Sequence, residues 1–297
     1  MDADTIAVHE TTEMLGSEDD DDNDGMEMDI EPSQQYRLQR KLNRGAFGEV
    51  WAAWDGKHNK QVAVKLIPSK HARAVQREVD LLRGAQGGCA QNHVLCYSDM
   101  YSLQRNGKGY IGVVTELVQG RALSDIDHDT ITANQLAMWT VELFRALRYL
   151  HSLGIVHRDV KPENVMIRPD GKLVLVDLGI GCSTEGPSAC AKRYTQVEGT
   201  PLFMWPPILE AQMSATNTGV PVEIDIDYFK AADFYGAAIT IATMALMPIL
   251  NINKMTSAQH LHMAITKMPY IVANLPKLDN FLRTIIGNPA LGMQIVD

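Results

Sequence analysis

The hydrophobic period of this chain changes once, near Gly120, and that change limits the folds open to it. From Tyr36 to Pro68 short apolar runs alternate with turns, in YRLQRKL, EVWAAW and QVAVKLI, with the two-residue period of half-buried strands. After Pro68, SKHARAVQREVDLLR sets Ala72, Val75, Val79 and Leu82 at helical spacing, with Ser69 as the expected N-cap. Two more strands are predicted at 94–103 and 110–118. Beyond Gly120 the period is helical. Residues 133–153 place Leu136, Val141, Phe144, Leu147 and Leu150 on one side, and further helices are predicted at 228–247, 257–267 and 275–286. A small sheet-based lobe followed by a helical lobe makes the fold class α+β.

Charge separates a third region. Residues 1–35 carry 13 of the 36 carboxylates and no Lys or Arg, so the remainder holds 23 acids against 27 bases and the net of −9 belongs to the tail. The run SEDDDDNDGMEMDIE lacks the apolar content to fold, so residues 1–34 are expected to be a disordered, solubilising tail, with a regulatory or partner-docking role left open. The small positive excess elsewhere does not suit a nucleic-acid binder. The longest apolar run, Gly236–Leu250, is about 15 residues and falls short of a membrane span, and the acidic N-terminus is unlike a secretory signal. Cys89, Cys96, Cys182 and Cys190 form no CxxC and have no histidines at metal-ligand spacing, so they are expected to be reduced thiols.

Four short segments carry chemistry. In LNRGAFGEV (42–50), Gly45 and Gly48 allow a hairpin backbone to approach phosphate oxygens. In VAVK the alternation fixes Lys65 on one strand face, and Glu78, 13 residues later on the predicted helix, can pair with it. In HRDVKPEN (157–164), Pro162 keeps Asp159, Lys161 and Asn164 in a loop, where they can take a hydroxyl proton, neutralise a phosphoryl group and bind Mg²⁺. Thirteen residues after Asn164, the apolar run LVLV ends in Asp177-Leu178-Gly179, which offers a hard cation an oxygen donor.

In this order and spacing the segments resemble the eukaryotic protein-kinase signature set over about residues 36–291. The resemblance implies a bilobal protein-kinase-like fold, with a small antiparallel-sheet N-lobe and one key helix over 35–119 and a mainly helical C-lobe over 120–297. It implies that Leu42, Asn43, Gly45, Ala46, Phe47 and Gly48 cover the ATP phosphates. Val50 and Ala63 would roof the adenine pocket and Met166 would floor it; Thr115 takes the gatekeeper position, and Glu116 and Leu117, before the Gly120 bend, form the hinge. Lys65, paired to Glu78, would hold the α- and β-phosphates; Asp159 would be the base, Lys161 the γ-phosphate contact, and Asn164 and Asp177 the Mg²⁺ ligands. Lys161 and Thr200, in GTPLF, are typical of the serine/threonine group. The implied function is ATP-dependent phosphorylation of Ser/Thr in protein substrates by an intracellular (cytoplasmic or nuclear) monomer, with room for a regulatory partner. A pseudokinase-type nucleotide-binding scaffold is the alternative.

The chain departs from the family pattern in four places. Asn43 replaces the first glycine of the phosphate loop, in the expectation that asparagine tolerates left-handed backbone. Leu178 replaces a phenylalanine and is expected to stack between Leu82 and His157. Trp205-Pro206-Pro207 lacks the family's glutamate, and Gly292 stands at the position of its arginine partner. Losing one member of a buried ion pair costs about 3–5 kcal/mol, whereas losing both can be near neutral. The sequence stops at Asp297, before the family's final helix, so a shortened, less stable C-lobe is expected. Within the activation segment, 177–207, Thr195 is the expected phosphosite, acting through Arg158 and Arg193.

Overall fold

A computed structural model describes residues 35–45, 48–191 and 193–250. The acidic tail, Ala46, Phe47, the helices predicted at 257–267 and 275–286, and Gly292 lie outside the described residues.

Strands β1 (Tyr36–Gly45), β2 (Gly48–Asp55), β3 (Lys60–Pro68), β4 (Tyr97–Arg105) and β5 (Lys108–Glu116) form one antiparallel sheet in the order β1-β2-β3-β5-β4. Alternation along β3 decides the placement of its lysine. Val62, Val64 and Leu66 point to an outer cluster with Tyr36, Ala53, Tyr101 and Val114, whereas Ile67 joins the inner core. Lys65 therefore shares the inner face, where helix α1 (Ala72–Gly84) lies. That helix buries Val75, Glu78, Val79, Leu81 and Leu82. A 3₁₀ turn, Ser69–His71, leads into it, and Ser69 makes no capping bond, so the expected cap is corrected.

After β6 (Arg121–Ala122) the chain becomes helical. Helix α2 (Ala133–Ser152) starts at a capping box in which Thr132 and Gln135 bond reciprocally. Its buried face is Leu136, Trp139, Leu143, Ala146, Leu147 and Leu150; Val141 and Phe144, expected on that side, are only half-buried. The core face is thus rotated toward Trp139, whose Nε1–H donates to the Gly171 carbonyl at 2.8 Å. Short strands β7 (Ile155–Val156), β8 (Val165–Ile167), β9 (Leu173–Leu175) and β10 (Cys182–Ser183) brace the loops between α2 and α3 (Pro206–Thr218). Sequence periodicity gave no sign of α3, which has weak amphipathic character and begins with Pro206 and Pro207 in its first turn, where proline is tolerated. Helix α4 (Ile226–Leu250) covers the region predicted at 228–247. Among the described residues no helix is long and apolar enough to cross a membrane.

The cysteine expectation is corrected outright. Cys89 pairs with Cys96 and Cys182 with Cys190, at Cα separations of 5.4 and 4.8 Å, and none of the four is a free thiol. Tight turns bring the partners together. Residues 86–92 run through two 3₁₀ turns into a left-handed His93, while the Ser183 N–H donates to the Ser188 carbonyl and the Ser183 carbonyl accepts the Cys190 N–H. A spacing of seven or eight residues carries no sign of such a fold-back.

Candidate active site

The cleft between sheet and helices gathers side chains far apart in sequence. Lys65 Nζ donates to Glu78 at 2.8 and 3.0 Å and to Asp177 Oδ1 at 2.9 Å, joining β3, α1 and the segment after β9. Burial pushes the Glu78 carboxyl above the usual range, opposed by the Lys65 ammonium. Burial also works against the charge on Lys65 itself, but Glu78 and Asp177 outweigh it and its pKa is raised. For Asp177 burial acts upward and the Lys65 ammonium overrides it, holding the carboxyl below the usual range. Asp177 has a positive φ of 67°, an uncommon conformation for a residue with a side chain. The next residue, Leu178, is buried in the same core cluster as Leu82.

Asp159 sits at the centre of the 157–164 loop, the candidate catalytic loop. Its carboxylate accepts Thr200 Oγ1–H at 2.6 Å and Asn164 Nδ2–H at 3.0 Å and lies 2.7 Å from the Lys161 ammonium. Lys161 also donates to Thr200 Oγ1 at 2.8 Å. The loop hangs from two elements. The main-chain N–H groups of His157 and Arg158 both donate to Asp233 of α4, at 2.8 and 2.7 Å, and His157 bonds the Val176 carbonyl. Asp233 is 2 % exposed and escaped the sequence reading, because a single acid in a helix carries no local sign of its partners 75 residues away.

Arg158 takes an unexpected partner. Its guanidinium donates to Glu198 at 2.6 Å and to the Ile180 carbonyl at 3.0 Å, with the rings of Tyr194 and Phe229 at 5.0 and 4.6 Å. The expected route from Thr195 to Arg158 thus meets a carboxylate already in place. Thr195 is exposed, and Arg193 pairs with Glu223. Glu198 was not anticipated, since nothing in GTPLF or its approach marks it.

The side expected to meet phosphates is sparser. Gly45 and Gly48 face each other across the β1–β2 turn, and a Cβ at Gly48 would lie 2.1 Å from the Leu66 carbonyl oxygen, so only glycine fits. Asn43 is not left-handed. It pairs with Val50 beside a bulge, and its Oδ1 accepts the Arg44 N–H, so the expected use of asparagine's freedom is corrected. Leu42 is exposed at the strand edge. Val50 pairs with Lys65, and Ala63 pairs with both Ala52 and Thr115. Met166 lies opposite Ala122 on the other side of the cleft. The Glu116 side chain turns away, accepting the Cys96 N–H and the Arg168 guanidinium, and its N–H donates to the Cys96 carbonyl, so at this residue the main-chain carbonyl is left for a ligand; Leu117 follows it, half-buried.

Donor chemistry at two residues would suit a magnesium ion. Asp177 keeps 43 % of its side chain exposed, and Asn164 spends its amide hydrogens on Asp159, which leaves its carbonyl oxygen as a ligand. Mg²⁺ ordinarily takes only one or two protein oxygens beside phosphates and water.

The protein kinase domain family matches residues 36–281. The chain belongs to the protein kinase family. Over 183 residues the kinase domain is 32 % identical to the serine/threonine-protein kinase STE20 of Eremothecium gossypii, covering 60 % of this chain and 18 % of that protein. It is 29 % identical over 200 residues to the serine/threonine-protein kinase pakC of Dictyostelium discoideum, covering 65 % and 39 %. Against the serine/threonine-protein kinase PknA of Mycobacterium tuberculosis it is 31 % identical over 179 residues, covering 59 % and 41 %. The match therefore spans between a fifth and two fifths of these relatives' length.

Proposed function

We propose that this kinase transfers the γ-phosphate of ATP to serine and threonine hydroxyls of protein substrates. The observation that carries the reading is the Lys161–Thr200–Asp159 cluster, in which one hydroxyl and one ammonium position a single carboxylate. With its other lone pairs satisfied, Asp159 orients the acceptor hydroxyl and takes its proton. Lys161 neutralises the transferring phosphoryl, and Lys65, held by Glu78, engages the α- and β-phosphates. Asn164 and Asp177 would hold Mg²⁺, which supplies charge neutralisation across the phosphates. Val50, Ala63 and Met166 sandwich the adenine, with Thr115 behind it and the main chain of Glu116 and Leu117 at its edge. The loop from Leu42 through Asn43, Gly45, Ala46, Phe47 and Gly48 covers the phosphates. Action as a monomer on intracellular proteins, in cytoplasm or nucleus, belongs to the same proposal.

The test is transfer from labelled ATP with Mg²⁺ to a mixed protein substrate, wild type beside Asp159→Ala. Label on Ser and Thr that disappears in the variant is the expected result. Equal label in both, or none with ATP still bound, would sink the reading.

A further inference from the structure

The pairing of Cys182 with Cys190 joins two points of the activation segment that straddle its contact with α1. Cys182 lies in β10, paired to Val156 of β7, directly before His157-Arg158-Asp159. Two residues upstream, the Ile180 carbonyl accepts from Arg158. Inside the loop closed by the disulfide, Ser188 is 3 % exposed and its hydroxyl donates to the Arg77 carbonyl of α1 at 3.2 Å. Arg77 is the neighbour of Glu78, the partner of Lys65. Thr184, in the same loop, donates its N–H to the Gly154 carbonyl before β7. The cross-linked loop is thus a wedge that touches α1 on one side and the approach to the catalytic loop on the other.

We infer that Cys182 and Cys190 form a reversible thiol–disulfide modification site, taking a dithiol as its co-reactant, whose oxidised state holds α1 and Glu78 on Lys65. The geometry assigns the order of events. Cys182 is 5 % exposed, whereas Cys190 is half-buried and is the sulfur a reductant reaches. A dithiol thiolate attacks Cys190 Sγ, the Cys182 sulfur leaves as thiolate, and a mixed disulfide forms on Cys190. The second thiolate of the dithiol displaces Cys190, so the reductant departs as its own disulfide and two electrons and two protons pass to the chain. Reduction frees the loop from its closure constraint, which loosens the Ser188 contact with α1. On the proposed intracellular reading the chain works where dithiols keep thiols reduced, and a disulfide there is ordinarily transient and redox-sensing rather than a permanent staple. Cys89–Cys96, at the far end of α1, is a separate cross-link and serves as the internal control.

The rate readout rests on the kinase reading, so the test has two arms. The full chain is poised with mixtures of reduced and oxidised dithiothreitol, and the state of each cysteine is read by differential alkylation and mass spectrometry. In the first arm, opening Cys182–Cys190 lowers kcat by about three- to tenfold, the range in which devices coupled through packed neighbours act. Reoxidation restores it. The double variant Cys182→Ser/Cys190→Ser stays at the reduced rate and stops responding, while Cys89→Ser/Cys96→Ser still responds. In the second arm, hydrogen exchange of amides 72–84 rises on reduction of the wild type, which needs neither activity nor a folded variant. No transfer in either redox state together with raised exchange would sink the kinase reading and keep this one. Unchanged exchange in α1 after Cys182–Cys190 has opened, or a pair that millimolar dithiothreitol cannot open in the native chain, would overturn the inference.

Discussion

Two cations anchor the two sides of the cleft, Lys65 in the sheet and Arg158 in the catalytic loop, and their surroundings differ in kind. Lys65 is held by side chains alone, from residues 13 and 112 positions away, and one of these, Asp177, keeps 43 % of its side chain exposed. Arg158 is 7 % exposed, lies against two aromatic rings, takes one carbonyl and one carboxylate, and has its own main chain fixed to Asp233. The first cluster is built to exchange partners, since an incoming phosphate or cation can replace one carboxylate with another anion or neutralise it. The second is built to stay, because any change would strand a buried charge.

The largest effect is expected between the two. Asp159→Ala should lower kcat by about 10²–10⁴-fold in steady-state transfer, with ATP affinity kept, since neither cluster loses a member. Lys65→Arg should lower kcat/KM for ATP by about 10–100-fold, the worth of a misplaced charge-assisted hydrogen bond, while the melting temperature changes little, because Glu78 keeps a cation. A collapse in stability instead would mean that Lys65, too, is structural. Asp233→Ala should do the converse, costing about 1.5–3 kcal/mol of stability in denaturant titration through the bonds it accepts from His157 and Arg158. Glu198→Gln should cut kcat by about tenfold with KM for ATP unchanged, because Arg158 then lacks its anion while the sheet-side cluster is untouched. Thr195→Ala should stay within about twofold of wild type, since Arg158 already holds a carboxylate. A larger loss on blocking Thr195 would restore the phosphorylation route and break the contrast between an exchangeable and a fixed cation.

Much of the site was readable from spacing. Lys65 follows from strand alternation and Glu78 from helical period, and the structure joins them at 2.8 Å. Pro162 marks a loop, and Asp159, Lys161 and Asn164 occupy it together. The unread parts share a cause. Glu198, Asp233 and the cysteine partners act through contacts whose geometry depends on how turns and helices pack, and α3 begins in a proline pair with little periodicity to announce it.

The amino-acid sequence by itself determined the division into sheet and helices and the face on which Lys65 lies. It also determined the order in which the charged groups of the candidate site occur, because period and local spacing are properties of neighbouring residues. Tertiary structure alone decided that Arg158 meets Glu198, that Asp233 carries the main chain of His157 and Arg158, and that the four cysteines pair. Buried charges and sulfurs take whichever partner the packed fold brings within a few ångströms, and that distance is not a function of sequence separation.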